Sequence, residues 1–243
     1  MPTAPISATY QGQVDNTAIS NKGAIDWNTD IRSVTTGTAA TTYTSNSLIS
    51  SAIGVYSFEA KGQWYAGCYR TFLFFDVSSI TASNTITAAT LQVLGYTNSS
   101  GGVIPVEGTA WGVNGSSSTL TTSDYSNLTF NTTYASQITS DSWNTSAYND
   151  FTLNATAISA MNSNGYLNCV LINNTYDQGN TTLSLGTEEY NGVEFLDGTS
   201  NIRVSLTYSS TAGYGNIVNG VASANIGEVI GVASANISKV IGV

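Results

Sequence analysis

The feature that most constrains this fold is an almost unbroken run of aromatic and apolar residues, Tyr69–Val77. The run has the length of a strand, is rich in aromatic residues and is flanked by polar segments. Such a run is typical of a strand whose two faces are both buried. We therefore predict that Tyr69–Val77 is a central strand and the main core element of the protein.

Other short apolar segments are separated by links rich in Ser, Thr, Asn and Gly. This spacing predicts an antiparallel, all-β, jelly-roll-like sandwich. The clearest strand segments are 89–96, 103–108, 150–153, 166–172 and 202–208. One short helix is predicted at Ala157–Met161, with Asn154 or Thr156 as its N-cap and Asn164–Gly165 as its end.

Composition changes along the chain divide it into four parts. Residues 1–22 are polar and contain two prolines, so we expect an extended N-terminal arm. Residues 23–208 carry the strand pattern and form the sandwich. A linker at 209–215 leads to a repetitive tail at 216–243, which we interpret as an assembly or attachment segment.

Charge argues against several classes of partner. The net charge is -9, and the six Lys and Arg residues are dispersed along the sequence. Without a basic patch, binding to nucleic acid or to an anionic membrane surface is disfavoured. No apolar run is long enough for a membrane span, and the N-terminus lacks the charged and apolar regions of a secretion signal. We expect a protein that stays in the cytoplasm where it is made until assembly or lysis.

The sequence also lacks familiar catalytic patterns. It contains no histidine, which excludes a Ser-His-Asp triad and disfavours zinc, and it has no phosphate-binding glycine loop. Cys68 and Cys169 are open to three hypotheses, a disulfide, a reactive thiol or two buried thiols, of which we favour the last. We predict that the protein is not an enzyme and carries no metal or cofactor.

Carboxylates are the remaining candidates for chemistry. They could supply a glycosidase pair, or a calcium site in a loop such as 186–197. No spacing predicts either site, so we favour solvated carboxylates in loops. The residues considered are Asp26, Asp30, Asp76, Asp124, Asp150, Asp177, Glu188, Glu189, Glu194 and Asp197.

The tail repeats with a period of 11, because glycine recurs at Gly220, Gly231 and Gly242. An 11-residue period also suits a right-handed helical supercoil, but Gly flanked by Val and Ile favours β structure. So few repeats cannot bury their own apolar face, and the tail therefore needs a partner. The alternative is a flexible exposed tail. The predicted assembly residues are Val218, Gly220, Val221, Ile226, Val229, Ile230, Gly231, Val232, Ile237, Val240, Ile241 and Gly242.

The order of these segments resembles a known architecture. It resembles the jelly-roll domains of bacterial surface proteins and phage structural proteins. The segments that carry the resemblance are, in order, an Arg70–Asp76 strand, a spacer ending at Ile86–Leu91, a Trp-bearing strand, a short helix after Phe151–Leu153 and a closing Ile202–Tyr208 strand. These domains are similar in fold to carbohydrate-binding modules. The resemblance covers about residues 50–208 and implies a two-sheet sandwich. No catalytic residues transfer with it.

The tail, in turn, resembles the Asn-Gly-Val-Ala-x-Ala-Asn-Ile repeats of tailed-phage structural proteins. This resemblance implies a non-enzymatic virion component, such as a head decoration, fibre or tail protein. We expect it to form a homo-oligomer, with a trimer favoured, and to contact other virion proteins. The alternative hypothesis is a carbohydrate-binding or adhesive module that recognises host glycans, with Trp111 and Trp143 as the candidate contacts.

Overall fold

The computed structural model describes residues 3–20, 25–43, 50–109, 119–183, 189–198, 200–210, 228–229 and 232–233. This described part is mostly antiparallel β structure. The prediction of an all-β, sandwich-like fold is therefore confirmed.

Thirteen strands of the described chain belong to one hydrogen-bonded network. They are β1 Thr3–Ser7, β2 Tyr10–Ser20, β3 Ala39–Tyr43, β4 Ser50–Ala60, β5 Gln63–Asp76, β6 Asn84–Asn98, β7 Gly102–Gly108, β8 Leu128–Thr133, β9 Ile138–Thr139, β10 Tyr148–Thr152, β11 Tyr166–Asn173, β12 Glu189–Leu196 and β13 Ile202–Ser210. The α-helices are α1 Ser78–Thr81 and α2 Ala155–Asn164. Single helical turns occur at Trp27–Arg32, Thr122–Ser126, Ser140–Ser142 and Asn174–Gln178.

The strands form two layers that are joined along one side. One layer has the order β1-β13-β6-β10, and the other has β3-β2-β5-β11-β7-β8, with β9 also paired to β7. Strands β4 and β12 pair with each other, while β4 also pairs with β5 and β12 with β6. The β4–β12 pair therefore links the two layers into a continuous sheet.

Strand β5 has the central position that the apolar run predicts. Leu73 and Phe75 are fully buried in the largest apolar cluster, which the two layers enclose. Phe72 and Phe74 point into a second cluster on the opposite face of β5. Burial on both faces is confirmed, because two separate cores draw on alternate residues of the same strand.

The N-terminal segment differs from the expected arm. Residues 3–20 contain β1, which pairs with β13, and β2, which pairs with β5 along its whole length. The expectation of an extended arm over 1–22 is corrected on this point. Pro5 is tolerated because β1 lies at the edge of its sheet, where a missing N–H need not break a ladder. In β2, Val14 is fully buried.

The predicted helix is confirmed as α2. The Asn154 side chain accepts hydrogen bonds from the backbone N–H groups of Thr156 and Ala157, at 3.0 and 3.1 Å. The helix ends at Gly165, whose φ of 76° is the left-handed conformation that glycine adopts most readily. Because Ala157 and Met161 are buried, the helix packs one face against the larger core.

The C-terminal boundary lies slightly later than expected. Ser209 and Ser210 belong to β13 rather than to a linker, and residues 211–215 lie outside the described chain. Within the tail, Glu228–Val229 pairs in antiparallel fashion with Val232–Ala233. Of the predicted assembly residues, Val229 and Val232 are therefore placed in β structure, and the other ten lie outside the described residues.

Candidate functional site

Two hollows that share lining residues lie on the surface of the described chain. The hollows have volumes of about 230 and 170 Å³, and Asn164 and Tyr166 line both of them. The first hollow is also lined by Thr9, Tyr10, Phe74, Asp76, Ser78 and Gly165. The second is also lined by Glu107, Gly108, Thr109, Tyr134, Ala160 and Asn168. We refer to the two hollows together as the cleft.

Three aromatic rings form a row across the first hollow. Tyr10 on β2 lies directly opposite Phe74 on β5, and their ring centroids are 5.7 Å apart. Tyr166 on β11 continues the row, with its ring centroid 5.4 Å from that of Phe74. The rings come from three neighbouring strands, so strand register brings them together. Phe74 is nearly buried and forms the floor, while Tyr10 and Tyr166 are half-buried.

Polar groups border the first hollow. The Asp76 carboxylate accepts a hydrogen bond of 2.9 Å from the backbone N–H of Ser78, which fixes the start of α1. The Thr9 hydroxyl accepts a hydrogen bond of 3.0 Å from the backbone N–H of Asp76. Thr9, Asp76 and Ser78 are all solvent-exposed. The first hollow therefore has an aromatic floor and a rim of hydroxyl and carboxylate oxygens.

The second hollow is more polar and contains Glu107, Tyr134 and Asn168. Tyr134 and Asn168 are buried, and Glu107 is half-buried. Burial, followed by the nearby Glu107 carboxylate, raises the pKa of Tyr134 above its ordinary value. The Tyr134 hydroxyl therefore keeps its proton and remains a hydrogen-bond donor at neutral pH.

The two carboxylates of the cleft do not form a glycosidase pair. Asp76 lies opposite Tyr166, and Glu107 lies opposite Cys169 on the same strand, β11. Asp76 and Glu107 are therefore separated by three residues along the strand direction and by two strand spacings across the sheet. Together these separations place their Cα atoms about 14 Å apart. Glycosidase carboxyl groups lie about 5–9.5 Å apart on either side of one bond. Asp76 and Glu107 are therefore too far apart to act on one glycosidic bond.

The most strongly charged cluster lies elsewhere and is buried. Arg70, in the middle of β5, pairs with Asp177 in the turn after β11, and their side chains are 1% and 0% exposed. The Arg70 Nε and Nη2 atoms donate to the two carboxylate oxygens at 2.9 and 2.6 Å. We refer to this ion pair and its immediate partners, Arg32 and Tyr125, as the Arg70 cluster.

The Arg70 guanidinium also donates hydrogen bonds to backbone carbonyl groups within the cluster. Arg70 donates to the backbone carbonyls of Tyr125 and Arg32, both at 2.7 Å, and its guanidinium lies 3.9 Å from the centre of the Tyr125 ring. Arg32 donates to the backbone carbonyl of Asp177. The cluster thus ties β5 to three loops, and we assign it a structural role.

Two of the predicted carboxylate positions are corrected by these observations. Asp177 and Asp197 are fully buried, so neither is a solvated loop carboxylate. The stretch considered for calcium is also not a loop, because most of it is β12, which pairs with both β4 and β6. Tyr125, which belongs to the Arg70 cluster, is fully buried as well.

The two tryptophans proposed as glycan contacts have different outcomes. Trp111 lies outside the described residues. Trp143 is 5% exposed, and its indole N–H donates to the backbone carbonyl of Glu194 at 3.3 Å. It packs beside Gly95, where a Cβ atom would lie 2.8 Å from the indole nitrogen. The indole face of Trp143 is therefore part of the core and is not presented to a ligand.

Both cysteines are free and buried. Burial raises the pKa of Cys169 to about 12 and that of Cys68 well above its ordinary value. The Cys68 Sγ lies 3.5 Å from a carboxylate oxygen of Asp177, next to the Arg70 cluster. Of the three hypotheses for the cysteines, the structure agrees with two buried, protonated thiols.

The sequence was compared with protein-family models and with curated proteins. No family model matches the sequence, and no curated protein matches it. Among the described residues, no helix has the length and apolar character needed to cross a membrane. Over the same described ranges, no group of three or more His, Cys, Asp or Glu side chains is placed to hold a metal ion.

Proposed function

We propose that this chain is a non-enzymatic structural protein of a tailed-phage virion, in which the sandwich is displayed and the terminal tail mediates assembly. The observation that carries the proposal is the 11-residue repeat that begins a few residues after β13. Its Val and Ile content is too high for a solvated tail, and its two and a half copies are too few for a self-sufficient solenoid. Association with sister subunits or other virion proteins would bury these side chains.

The organisation of the sandwich supports this role. The Arg70 cluster is buried and connects loops to β5, so its charged groups stabilise the fold and are not presented to a partner. The register pairs Thr3 with Thr207, so the chain enters and leaves the described sandwich on neighbouring strands. An attachment through residues close to both ends would leave the rest of the sandwich surface accessible.

The assembly role predicts a change of native mass when the tail is removed. The full chain should be an oligomer, with a trimer expected, whereas a chain ending at Ser210 should be a folded monomer. This truncation keeps the whole of β13 and therefore the complete sandwich. Native mass spectrometry and light scattering would measure both species. Circular dichroism would establish that the shortened chain is folded, and two monomeric species would contradict the proposal.

The virion assignment makes a second prediction about purified particles. Peptides of this chain should be found by mass spectrometry in gradient-purified particles of a phage that encodes it, at a fixed ratio to the major capsid protein. A salt wash that removes adsorbed proteins provides the control, because a structural component should keep this ratio. Recovery of the chain only in the lysate, and not with particles, would contradict the assignment.

A further inference from the structure

We propose that an exposed apolar face at the β4–β5 hairpin is the surface on which the repetitive tail of a sister subunit, residues 216–243, docks. We refer to it as the hairpin face. It is formed by partly exposed side chains of three adjacent strands, Ile19, Tyr56, Phe58 and Tyr65. The inference rests on the proposed assembly role of the tail and adds the surface that the tail contacts.

Strand register brings the hairpin face together. Tyr65 on β5 lies opposite Ile19 on β2 and opposite Phe58 on β4, so these side chains form one row across three strands. Tyr56 lies two residues along β4 and points to the same side. Ile19 is 58% exposed, and within the described ranges none of the four side chains belongs to an apolar core cluster. A contiguous exposed apolar surface of this kind indicates an interaction site.

The opposite side of the same strands is already covered. Val55 on β4 and Ala66 on β5 are buried in a small apolar cluster with Trp27. The hairpin cannot turn the hairpin face inward without exposing that cluster to water. The rings of Phe58 and Tyr65 stack at 4.8 Å with their planes inclined by 2°, which makes the row of side chains flat. The hairpin face therefore remains available to another segment of protein.

Two local features fix the shape of the hairpin face. The turn residues Lys61 and Gly62 have φ angles of 51° and 75°, as in the type I′ turn that matches the twist of a two-residue hairpin. The hydroxyls of Thr17 and Tyr56 are hydrogen-bonded at 2.6 Å, which holds the Tyr56 ring in place across β2 and β4. Because the surface is ordered in advance, binding a partner costs it little conformational entropy.

The tail has side chains that suit this surface. Residues 216–243 are rich in valine and isoleucine and contain no aromatic residue. Pairs of aromatic and β-branched side chains contribute about 0.2–1 kcal/mol each when strands place them side by side. Glu228–Val229 and Val232–Ala233 already form an antiparallel pair, so part of the tail has the extended backbone that such packing needs. The tail would cover the exposed rings, and the rings would bury its aliphatic side chains.

Charge favours the tail over a second sandwich as the occupant. Residues 216–243 carry one acidic residue, Glu228, and one basic residue, Lys239, so the tail is formally neutral. The net charge of -9 therefore belongs to residues 1–215. Two sandwiches that met through their hairpin faces would bring two strongly acidic bodies together. Docking of the neutral tail avoids most of that repulsion.

The position of the hairpin face favours a tail from another subunit. Strand β13 ends at Ser210, opposite Asn84 at the start of β6, and α1 connects β6 to the end of β5 at Asp76. The row that contains Tyr65 lies near the other end of β5, about 36 Å away along the strand. Contacts between opposite ends of neighbouring subunits are heterologous and can close into a ring such as a trimer.

Sedimentation velocity of the full chain over a concentration series would test the proposal. Ile19→Thr and Phe58→Ala should each weaken subunit association about tenfold, because each removes apolar contact area at the centre of the interface. Ile19→Thr keeps a β-branched side chain and so preserves the strand. Tyr96→Ala is the matched control and should leave association unchanged, because Tyr96 is 50% exposed on β6, outside the hairpin face. Thermal melts would establish that each variant is folded.

Photo-cross-linking would identify the occupant directly. Phe58→p-benzoylphenylalanine places a photoreactive ring in the hairpin face of the full chain. This variant is mixed with isotope-labelled unmodified chain after both are diluted to dissociate, and the mixture is then concentrated. Irradiation should join position 58 to a labelled peptide from residues 216–243, which mass spectrometry would identify. The isotope label separates contacts between chains from contacts within one chain.

Several results would overturn the proposal. They are cross-links only within one chain, cross-links from position 58 to another sandwich, or an oligomer that neither Ile19→Thr nor Phe58→Ala weakens. The assembly role is judged separately by the chain that ends at Ser210. If this truncation abolishes the oligomer but the hairpin-face variants do not weaken it, tail-mediated assembly stands and the hairpin face is not its docking surface. A cross-linked oligomer that is absent from purified particles would support the contact and contradict the virion assignment.

Discussion

Asp177→Ala is expected to lower the free energy of unfolding by about 3–5 kcal/mol, the range for removing one partner of a buried ion pair. The variant would leave the Arg70 guanidinium 1% exposed and without its counter-ion. Burial alone acts to lower the pKa of Arg70, but the Asp177 carboxylate opposes this effect, and the pKa of Arg70 is raised overall. Without Asp177, the charged guanidinium would have to be hydrated or displaced, which disrupts the centre of β5.

Urea denaturation followed by intrinsic fluorescence would measure this loss. Asp150→Ala is the control, because Asp150 is exposed on β10 and accepts one hydrogen bond from Gln92. It should change stability by about 0.5 kcal/mol or less. The double variant Arg70→Met/Asp177→Leu should lose much less than the sum of the single changes, since it leaves no unpaired charge. A loss below about 1 kcal/mol for Asp177→Ala would show that the pair is not needed.

Phe75→Ala should destabilise the protein by about 3–5 kcal/mol, the range for truncating a buried aromatic side chain. Phe75 is fully buried in the cluster between the two layers, so its removal leaves a cavity that the surrounding strands cannot easily fill. The same urea titration would report the effect, and an unchanged slope would indicate that the unfolding reaction itself is unaltered.

The same substitution at Phe58 provides the control for Phe75. Phe58 is 36% exposed near the tip of the β4–β5 hairpin, where its ring stacks on that of Tyr65 at a centroid distance of 4.8 Å. Phe58→Ala should cost about 0.5–1.5 kcal/mol, because it removes an aromatic pair without leaving an enclosed cavity. Equal losses at Phe58 and Phe75 would contradict the placement of Phe75 at the centre of the core.

The parts of the fold that could be predicted are those encoded in local patterns. The apolar run around Phe72–Phe75 identifies β5, and Asn154 and Gly165 mark the ends of α2, because caps and burial periodicity act within a few residues. The strands at the N-terminus were missed because their pairing decides their structure. A polar segment such as β2 becomes a strand when it lies beside β5.

The Arg70 cluster and the cleft could not be located from sequence because both depend on contacts between distant segments. Arg70 is visible as a charge within an apolar run, which is a signal of a buried partner, but the pattern does not identify Asp177, more than a hundred residues away. Similarly, Tyr10, Phe74 and Tyr166 meet only through the register of three strands. A sequence pattern indicates that a strand exists, while register depends on the whole sheet.

The pairing of β1 with β13 has a mechanical consequence. Thr3 lies beside Thr207 in an antiparallel pair, so the two ends of the described sandwich point out from the same end of adjacent strands. Tension applied between these ends would load the β1–β13 hydrogen bonds one after another, as in unzipping, rather than all at once in shear. A subunit held at both ends would open at low force, whereas one held at a single end would carry no load across this pair.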